Sequence, residues 1–282
     1  MGTPASAVVA RLARHTTAWV LDDFVRGDHG KAYGITAPDR RRLVGRFDRT
    51  NRAIPSGTST ALQVVLAREI LAVPPATEGD VVECGCWKGA SSANLSLACG
   101  LVGRRLVVCD SFQGLPEEGL RVHTAPHAGI YGYYRKGMFE GSLEEVRHNV
   151  ARHGEVGRCE FVPGFFSESL RSLARPIAMA FLDVDLASST CDCLRSIWPL
   201  LVEGGAVYTD DAGDLDCVRP FFDQAWWDEN LGCPAPGFVG SGCGLPMNPW
   251  YSSLGYARKQ TAFRPDQWRK AAHLYYPAQE VA

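Results

Sequence analysis

No long apolar run occurs in this sequence. No stretch approaches the roughly 20 apolar residues that a membrane-spanning helix needs. The first residues also lack the basic start, the apolar run and the small-residue cleavage site of a secretory signal. We therefore expect a cytoplasmic protein that has no membrane partner.

An excess of basic residues is also missing. The chain of 282 residues has 29 Lys and Arg against 31 Asp and Glu, a formal net charge of −2. Because nucleic-acid-binding domains usually carry a clear basic excess, this balance argues against a nucleic-acid partner. A hydrophobic content of 46% with 21% charged residues is typical of a globular protein with a sizeable core.

Two familiar ligand-binding signatures are absent. The glycines after the first predicted strand do not form G-x-G-x-x-G, which argues against a nicotinamide or flavin cofactor bound through its pyrophosphate. The pairs Cys84-x-Cys86 and Cys191-x-Cys193 lack the two-residue gap of structural zinc sites. The ten cysteines lie mostly in apolar segments, so we expect reduced thiols in the core.

Two pairs of aspartates dominate what is present. Asp183 and Asp185 follow one apolar segment, and Asp210 and Asp211 follow another, after a helix-like stretch and the Gly204-Gly205 pair. We interpret this as a buried strand, a crossover helix, a Gly-Gly turn and a second buried strand. Parallel strands joined in this way end at the same edge of the sheet, so the four carboxylates should converge there.

Converging carboxylates need a cation. A hard divalent ion with oxygen ligands, Mg²⁺ first, would relieve their repulsion. The alternative is that some of these aspartates cap helices or turns, as single aspartates after strands often do. Two pairs at matching strand ends favour a functional site over capping.

Two earlier strands also end near acidic residues. The strand that begins at Asp80 contains Glu83 and leads into a turn with Gly85, where the missing side chain lets the backbone approach a ligand. The next strand ends at Asp110, 27 residues after Glu83 (110 − 83). A nucleotide-binding fold places a carboxylate at such a position on ribose hydroxyls.

Aromatic and polar residues follow the second and third strands. Phe112 could stack on a base or simply pack under a loop. The third strand, Cys159–Pro163, leads into a segment with Phe165 and Ser167 that could flank the same nucleoside.

The chain divides into three predicted parts. Residues 1–75 form a helical extension that covers the site or makes a subunit contact, residues 76–264 form an α/β domain, and residues 265–282 form a tail. The N-terminal helices make a homo-oligomer plausible. Residues 119–141, rich in Gly, Tyr and His, are a long insertion that we interpret as a lid.

Turn and capping residues define the remaining boundaries. Pro38 interrupts the N-terminal helices, and a helix over Thr58–Leu71 must end before Pro74-Pro75. We predict one helix over residues 217–230 and an antiparallel edge strand over residues 256–263.

Four segments together resemble the macrocin O-methyltransferase family. They are Val82–Ser91, Cys109–Glu117, Leu182–Leu186 and Gly204–Asp211. This resemblance covers roughly residues 58–213 and implies a Rossmann-like, class I S-adenosylmethionine methyltransferase sheet. Members of the family are metal-dependent enzymes that methylate sugar hydroxyls in antibiotic biosynthesis.

The resemblance also implies roles for individual residues. Asp183, Asp210 and Asp211 would hold Mg²⁺, and Asp185 would be the general base. Asp110 would bind the ribose of the cofactor. The cofactor-binding residues that it implies are Glu83, Gly85, Asp110, Ser111, Phe112, Phe165, Ser167 and Asp183.

This sequence departs from the family pattern at two places near the expected acceptor. Ala187 and Ser188 stand where the family commonly has an aromatic residue and an acid, and residues 240–254 replace a short closing strand. We therefore expect a hydroxylated small-molecule acceptor, with a sugar moiety as the first choice. The alternatives are a non-catalytic S-adenosylmethionine-binding relative and a Rossmann-type oxidoreductase.

Overall fold

A six-stranded sheet forms the centre of the molecule, in the order β3-β2-β1-β4-β5-β6. The computed structural model describes residues 17–117, 134–239 and 254–260. Most of the predicted lid (119–141), most of the 240–254 segment and the whole 265–282 tail lie outside the described residues. The strands are β1 (Asp80–Cys84), β2 (Leu106–Asp110), β3 (Cys159–Pro163), β4 (Ile177–Leu182), β5 (Leu201–Thr209) and β6 (Gly255–Arg258).

Strand direction confirms the predicted Rossmann-like sheet. Each neighbouring pair from β3 to β5 is parallel, and β6 runs antiparallel to β5 at the edge. The carboxyl ends of β1, β2, β4 and β5 therefore lie along one edge, and the order reverses direction between β1 and β4. Ligands bind at such a reversal point in open α/β sheets.

Helices cover both faces of this sheet. They are α1 (residues 17–26), α2 (Ala37–Ala53), α3 (Thr60–Ala72), α4 (Ala90–Val102), α5 (Leu143–His153), α6 (Phe166–Ser169), α7 (Ala187–Ile197), α8 (Leu215–Val218) and α9 (Gln224–Asn230). Among the described residues, none of these helices has the length and apolar character that a membrane crossing requires.

Proline acts differently in two places from what the sequence predicts. Pro38 lies in the first turn of α2, where Thr36 and Asp39 form a capping box, so it begins a helix instead of interrupting one. The predicted helix over residues 217–230 is wrong as one unit. A 3₁₀ turn, Arg219–Phe222, separates α8 from α9, because Pro220 cannot donate a helical hydrogen bond.

The Gly204-Gly205 pair lies inside β5 and does not precede it. Leu201 pairs with Ile177 of β4, and Ala206 pairs with Met179, so β5 carries extra residues between these two pairs. Gly204 has a φ of +78°, which lets the chain bulge there without leaving the sheet.

Candidate active site

A cavity of about 970 Å³ opens at the carboxyl ends of the parallel strands. The structure brings most of the sequence-predicted site residues to its wall. These are Gly85, Asp110, Ser111, Phe165, Ser167, Asp183, Asp185, Asp210 and Asp211. Residues from β1, β2, β4 and β5 thus share one pocket, as parallel strand ends should.

Two of the predicted cofactor residues are buried away from this wall. The Glu83 side chain is fully buried and accepts a hydrogen bond from the Ser92 hydroxyl of α4. Phe112 packs in the hydrophobic core beside the helices, with a left-handed φ of 55°. Both residues support the wall from behind, and their contact with a cofactor stays a prediction.

Asp110 holds two loops through its carboxylate. Its Oδ2 accepts a hydrogen bond from the Cys86 backbone N–H at 2.7 Å, and its Oδ1 accepts one from the Phe112 N–H at 2.7 Å. These bonds connect the turn after β1 to the turn after β2. The Ser111 hydroxyl also donates to Oδ1 at 3.5 Å. A carboxylate has about four acceptor sites, so the side chain can still accept from a ligand hydroxyl.

Asp183 and Asp210 are neighbours at the ends of β4 and β5. The Thr58 hydroxyl lies 3.4 Å from Asp183 Oδ2 and 3.4 Å from Asp210 Oδ2. The Oδ1 atom of Asp210 is buried and has no hydrogen-bond partner among the described residues. A buried carboxylate oxygen without a partner is costly unless a ligand satisfies it.

Asp211 organises the loop that carries Asp185. Its Oδ2 accepts hydrogen bonds from the backbone N–H groups of Val184, at 3.1 Å, and Asp185, at 3.0 Å. Asp185 has a left-handed φ of 59°, an uncommon conformation for a residue other than glycine. Such strain, held by the surrounding structure, is typical of functional sites.

Burial governs the electrostatics of this cluster. It is the main cause that raises the pKa of Asp183, Asp185, Asp210 and Asp211 above the usual aspartate range. Repulsion from neighbouring aspartates raises the pKa of Asp183, Asp185 and Asp210 further, and a hydrogen bond from the Tyr134 hydroxyl lowers that of Asp185. For Asp211, backbone hydrogen bonds lower the pKa and repulsion from Asp214 raises it. The protein alone therefore opposes full ionisation of the cluster.

The donor set fits a hard divalent cation. In the part of the chain that the structure describes, no three His, Cys, Asp or Glu side chains form a recognisable metal-binding group. The carboxylates, with the unpartnered Asp210 oxygen among them, are nevertheless oxygen donors of the type that Mg²⁺ prefers. A bound cation would stabilise the ionised carboxylates and satisfy that oxygen.

The rest of the cavity wall is also acidic. Glu117, Glu168, Asp192 and Asp214 line it together with the residues already named. Within the described ranges, no Lys, Arg or His side chain lines the cavity. The field inside therefore favours positively charged groups.

Sequence reasoning missed several residues at this site. Thr58 and Tyr134 reach the carboxylates, and Trp87 and Met138 line the wall. Tyr134 lies within the predicted lid, residues 119–141, but the sequence assigns it no individual role. No local pattern singled out Thr58, because its contact lies 125 positions away along the chain.

Comparison with characterised proteins gives a consistent result. The 8-demethyl-8-(2,3-dimethoxy-alpha-L-rhamnosyl)-tetracenomycin-C 4'-O-methyltransferase of Streptomyces olivaceus is 37% identical over 146 residues, 50% of this chain and 55% of that protein. The demethyldecarbamoylnovobiocin O-methyltransferase of Streptomyces niveus is 31% identical over 138 residues, 47% of this chain and 52% of that protein. The chain spans about half the length of these curated relatives.

A solved structure shares the fold. The O-methyltransferase NovP matches with a TM-score of 0.50 and 22% identity, covering 80% of this chain and 82% of that chain. Residues 62–234, more than half of the chain, match the macrocin-O-methyltransferase (TylF) family, and this range includes all four clustered aspartates. The chain therefore belongs to the macrocin-O-methyltransferase family.

Proposed function

We propose that this protein is a Mg²⁺-dependent O-methyltransferase that moves a methyl group from S-adenosylmethionine to a hydroxyl of a small-molecule natural product. The hydroxyl that it methylates belongs to a sugar moiety of that product. The observation that carries the proposal is the buried, acidic cavity at the strand ends of a chain in this family. The names of the relatives from Streptomyces, both O-methyltransferases, support it.

The cavity wall suits S-adenosylmethionine. When bound, it supplies an electrophilic methyl group on a sulfonium. The residues that would line its site are Gly85, Asp110, Ser111, Phe165 and Ser167. The described part of the wall has no basic side chain to repel a sulfonium.

Asp183, Asp210 and Asp211 would hold Mg²⁺. When bound, the ion supplies positive charge that favours the deprotonated form of an acceptor hydroxyl. Asp211 has a second task that needs no ion, because its hydrogen bonds fix the backbone of Val184 and Asp185.

Asp185 is the proposed proton acceptor. It lines the cavity next to Asp183 and Asp211, and the Tyr134 hydroxyl holds its carboxylate. The proton of the acceptor hydroxyl moves to Asp185, and the acceptor oxygen then forms its bond to the methyl carbon as the carbon–sulfur bond breaks.

Turnover measurements test this proposal. The purified chain is mixed with S-adenosylmethionine, Mg²⁺ and a panel of glycosylated natural products, and S-adenosylhomocysteine is measured by mass spectrometry. We expect activity that EDTA abolishes and added Mg²⁺ restores. Asp185→Asn should lower kcat about 10²- to 10⁴-fold, the contribution usual for a general base.

The controls separate binding from chemistry. Calorimetry should show that Asp185→Asn still binds S-adenosylmethionine, and Asp228→Asn, on the exposed face of α9, should turn over normally. Absence of S-adenosylmethionine binding would contradict the proposal. Binding without turnover across the panel would favour the non-catalytic relative, a reading that Ala187 and Ser188 permit. The homo-oligomer and the cytoplasmic location stay predictions.

A further inference from the structure

Thr58 reaches the carboxylate cluster from outside the segment that matches the family. It lies between α2 and α3, before the matched range of 62–234 begins. Its side chain is buried, and its hydroxyl lies 3.4 Å from one oxygen each of Asp183 and Asp210. The N-terminal helical segment thus contributes a polar group to the cavity wall.

The backbone of Thr58 is fixed by its neighbour Ser56. The Ser56 hydroxyl donates to the Thr58 carbonyl oxygen at 2.9 Å and accepts from the Thr58 N–H at 3.2 Å. The Gln63 amide of α3 donates to the same carbonyl oxygen at 3.4 Å. The loop therefore presents the hydroxyl in a defined place.

A buried amide network anchors Gln63 in turn. The Gln63 Oε1 atom accepts hydrogen bonds from Asn51 of α2, at 3.0 Å, and from Asn94 of α4. Gln63 and Asn94 are both fully buried. Three helices thus contribute to the polar network that supports the loop of Thr58, although Asn94 Oδ1 has no hydrogen-bond partner among the described residues.

The hydroxyl has one proton for two carboxylate oxygens. Both contacts measure 3.4 Å, which is longer than the roughly 2.5 to 3.0 Å usual for an O–H···O hydrogen bond. Each is therefore a weak hydrogen bond, and the hydroxyl can donate to either carboxylate. The Thr58 hydroxyl therefore favours side-chain conformations of Asp183 and Asp210 in which Oδ2 points toward it. Groups behind a metal ligand commonly orient it in this manner.

We propose that Thr58 is a positioning residue of the cation site, which orients Asp183 and Asp210 through its hydroxyl. The N-terminal segment is then part of the site, in addition to any role as a cover or subunit contact. This inference rests on the proposed Mg²⁺ dependence.

Mn²⁺ binding to the full chain, without cofactor or acceptor, tests the inference. Titration followed by electron paramagnetic resonance gives the Kd, and Mg²⁺ competition relates it to the proposed ion. Thr58→Val keeps the shape of the side chain but removes the hydroxyl, so we expect a Kd about 10- to 100-fold higher. Thr58→Ser keeps the hydroxyl and should bind within about threefold of the unsubstituted chain.

A matched control removes a different buried hydroxyl. Thr50 is buried in α2, and its hydroxyl donates to the Arg46 carbonyl oxygen at 3.1 Å, with no contact to the cavity. Thr50→Val should lower the melting temperature without changing the Kd for Mn²⁺. A purely structural Thr58 would behave in the same way.

The outcomes are distinguishable. Unchanged Mn²⁺ affinity in Thr58→Val overturns the role of Thr58 and leaves the proposed function intact. If the unsubstituted chain binds no Mn²⁺, the metal part of the proposed function fails and this inference fails with it. If Thr58→Val does not fold, Ser56→Ala is measured instead, because this change removes the hydrogen bonds that fix the Thr58 backbone. A weaker Mn²⁺ affinity of Ser56→Ala supports the inference, and an unchanged affinity overturns it.

Discussion

Glu83 carries a buried carboxyl at the end of β1. The Ser92 hydroxyl donates to one of its oxygens, and the other has no hydrogen bond among the described residues. Burial raises the pKa of Glu83 from 4.5 to about 7, although the hydroxyls of Ser91 and Ser92 oppose this. Between these two values, the folded protein holds a proton at Glu83 that the unfolded chain has already lost.

Glu83→Gln should therefore change how stability depends on pH. Because the folded state binds the extra proton, the free energy of unfolding of the unsubstituted chain falls from pH 4.5 to pH 7 through this group. The shift corresponds to on the order of 3 kcal/mol. We expect Glu83→Gln to match the unsubstituted chain near pH 4.5 and to be more stable by about that amount at pH 8, measured by urea unfolding without cofactor.

An exposed glutamate supplies the control for the loss of one charge. Glu229 lies on the solvent side of α9, and Glu229→Gln should give a stability curve parallel to that of the unsubstituted chain. A parallel curve for Glu83→Gln as well would show that the buried carboxyl does not titrate in this range.

The sequence predicts single residues well where the signal is local. Asp183 and Asp210 are recognisable because each follows a buried strand, and the sheet then brings them together. The place of Thr58 depends on the packing of α3 against the sheet, which no short pattern encodes. The burial of Glu83 is also not predictable from the sequence, because its position in the chain does not reveal that α4 covers its carboxyl.

At the scale of elements, the ends of β1 and β4 meet backbone to backbone. Gly85 has a φ of +83°, and a Cβ added there would lie 1.9 Å from the Asp183 carbonyl oxygen. Gly85→Ala must therefore separate the two strand ends and displace Asp183. We expect a loss of unfolding free energy of several kcal/mol, more than the roughly 1 to 2 kcal/mol for a left-handed alanine alone, measured by urea unfolding.

Gly34 provides the matched comparison. It has a similar φ of +73°, but an added Cβ would meet no atom within 4 Å. Gly34→Ala should show only the conformational cost. If Gly85→Ala were no less stable than Gly34→Ala, the close approach of β1 and β4 would have no energetic consequence.

Some element boundaries are predictable from the local sequence, although the effects of Pro38 and Pro220 are not. The predicted strand Cys159–Pro163 has the same bounds as β3 in the structure. The bulge at Gly204 is not predictable in this way, because a Gly-Gly pair is compatible with a turn and with a bulge until the partner strand fixes the register. The bulge, and not a turn, forms here because Ile177 and Met179 of β4 pair with residues of β5 on either side of the Gly-Gly pair.

At the scale of the whole molecule, two hydrophobic clusters pack on opposite faces of the sheet. One joins Phe24 of α1 and Phe47 of α2 to strand residues such as Met179. The other joins the strands to α7 and to Trp198 and Trp227, whose rings meet edge to face. The predicted N-terminal extension thus shares its core with the α/β domain. We infer that the described helices and the sheet unfold together.

Phe47→Ala tests this cooperativity. Phe47 is fully buried in the first cluster, so its truncation should lower the free energy of unfolding by about 3 to 5 kcal/mol. If the molecule is one unit, the most protected amides of β4 should exchange faster by the same free energy, measured by native-state hydrogen exchange. Phe222→Ala, at an exposed position, should leave that exchange nearly unchanged. Faster exchange confined to α2 would instead show that the N-terminal helices unfold separately from the sheet. Each such opening would then remove Thr58 from Asp183 and Asp210.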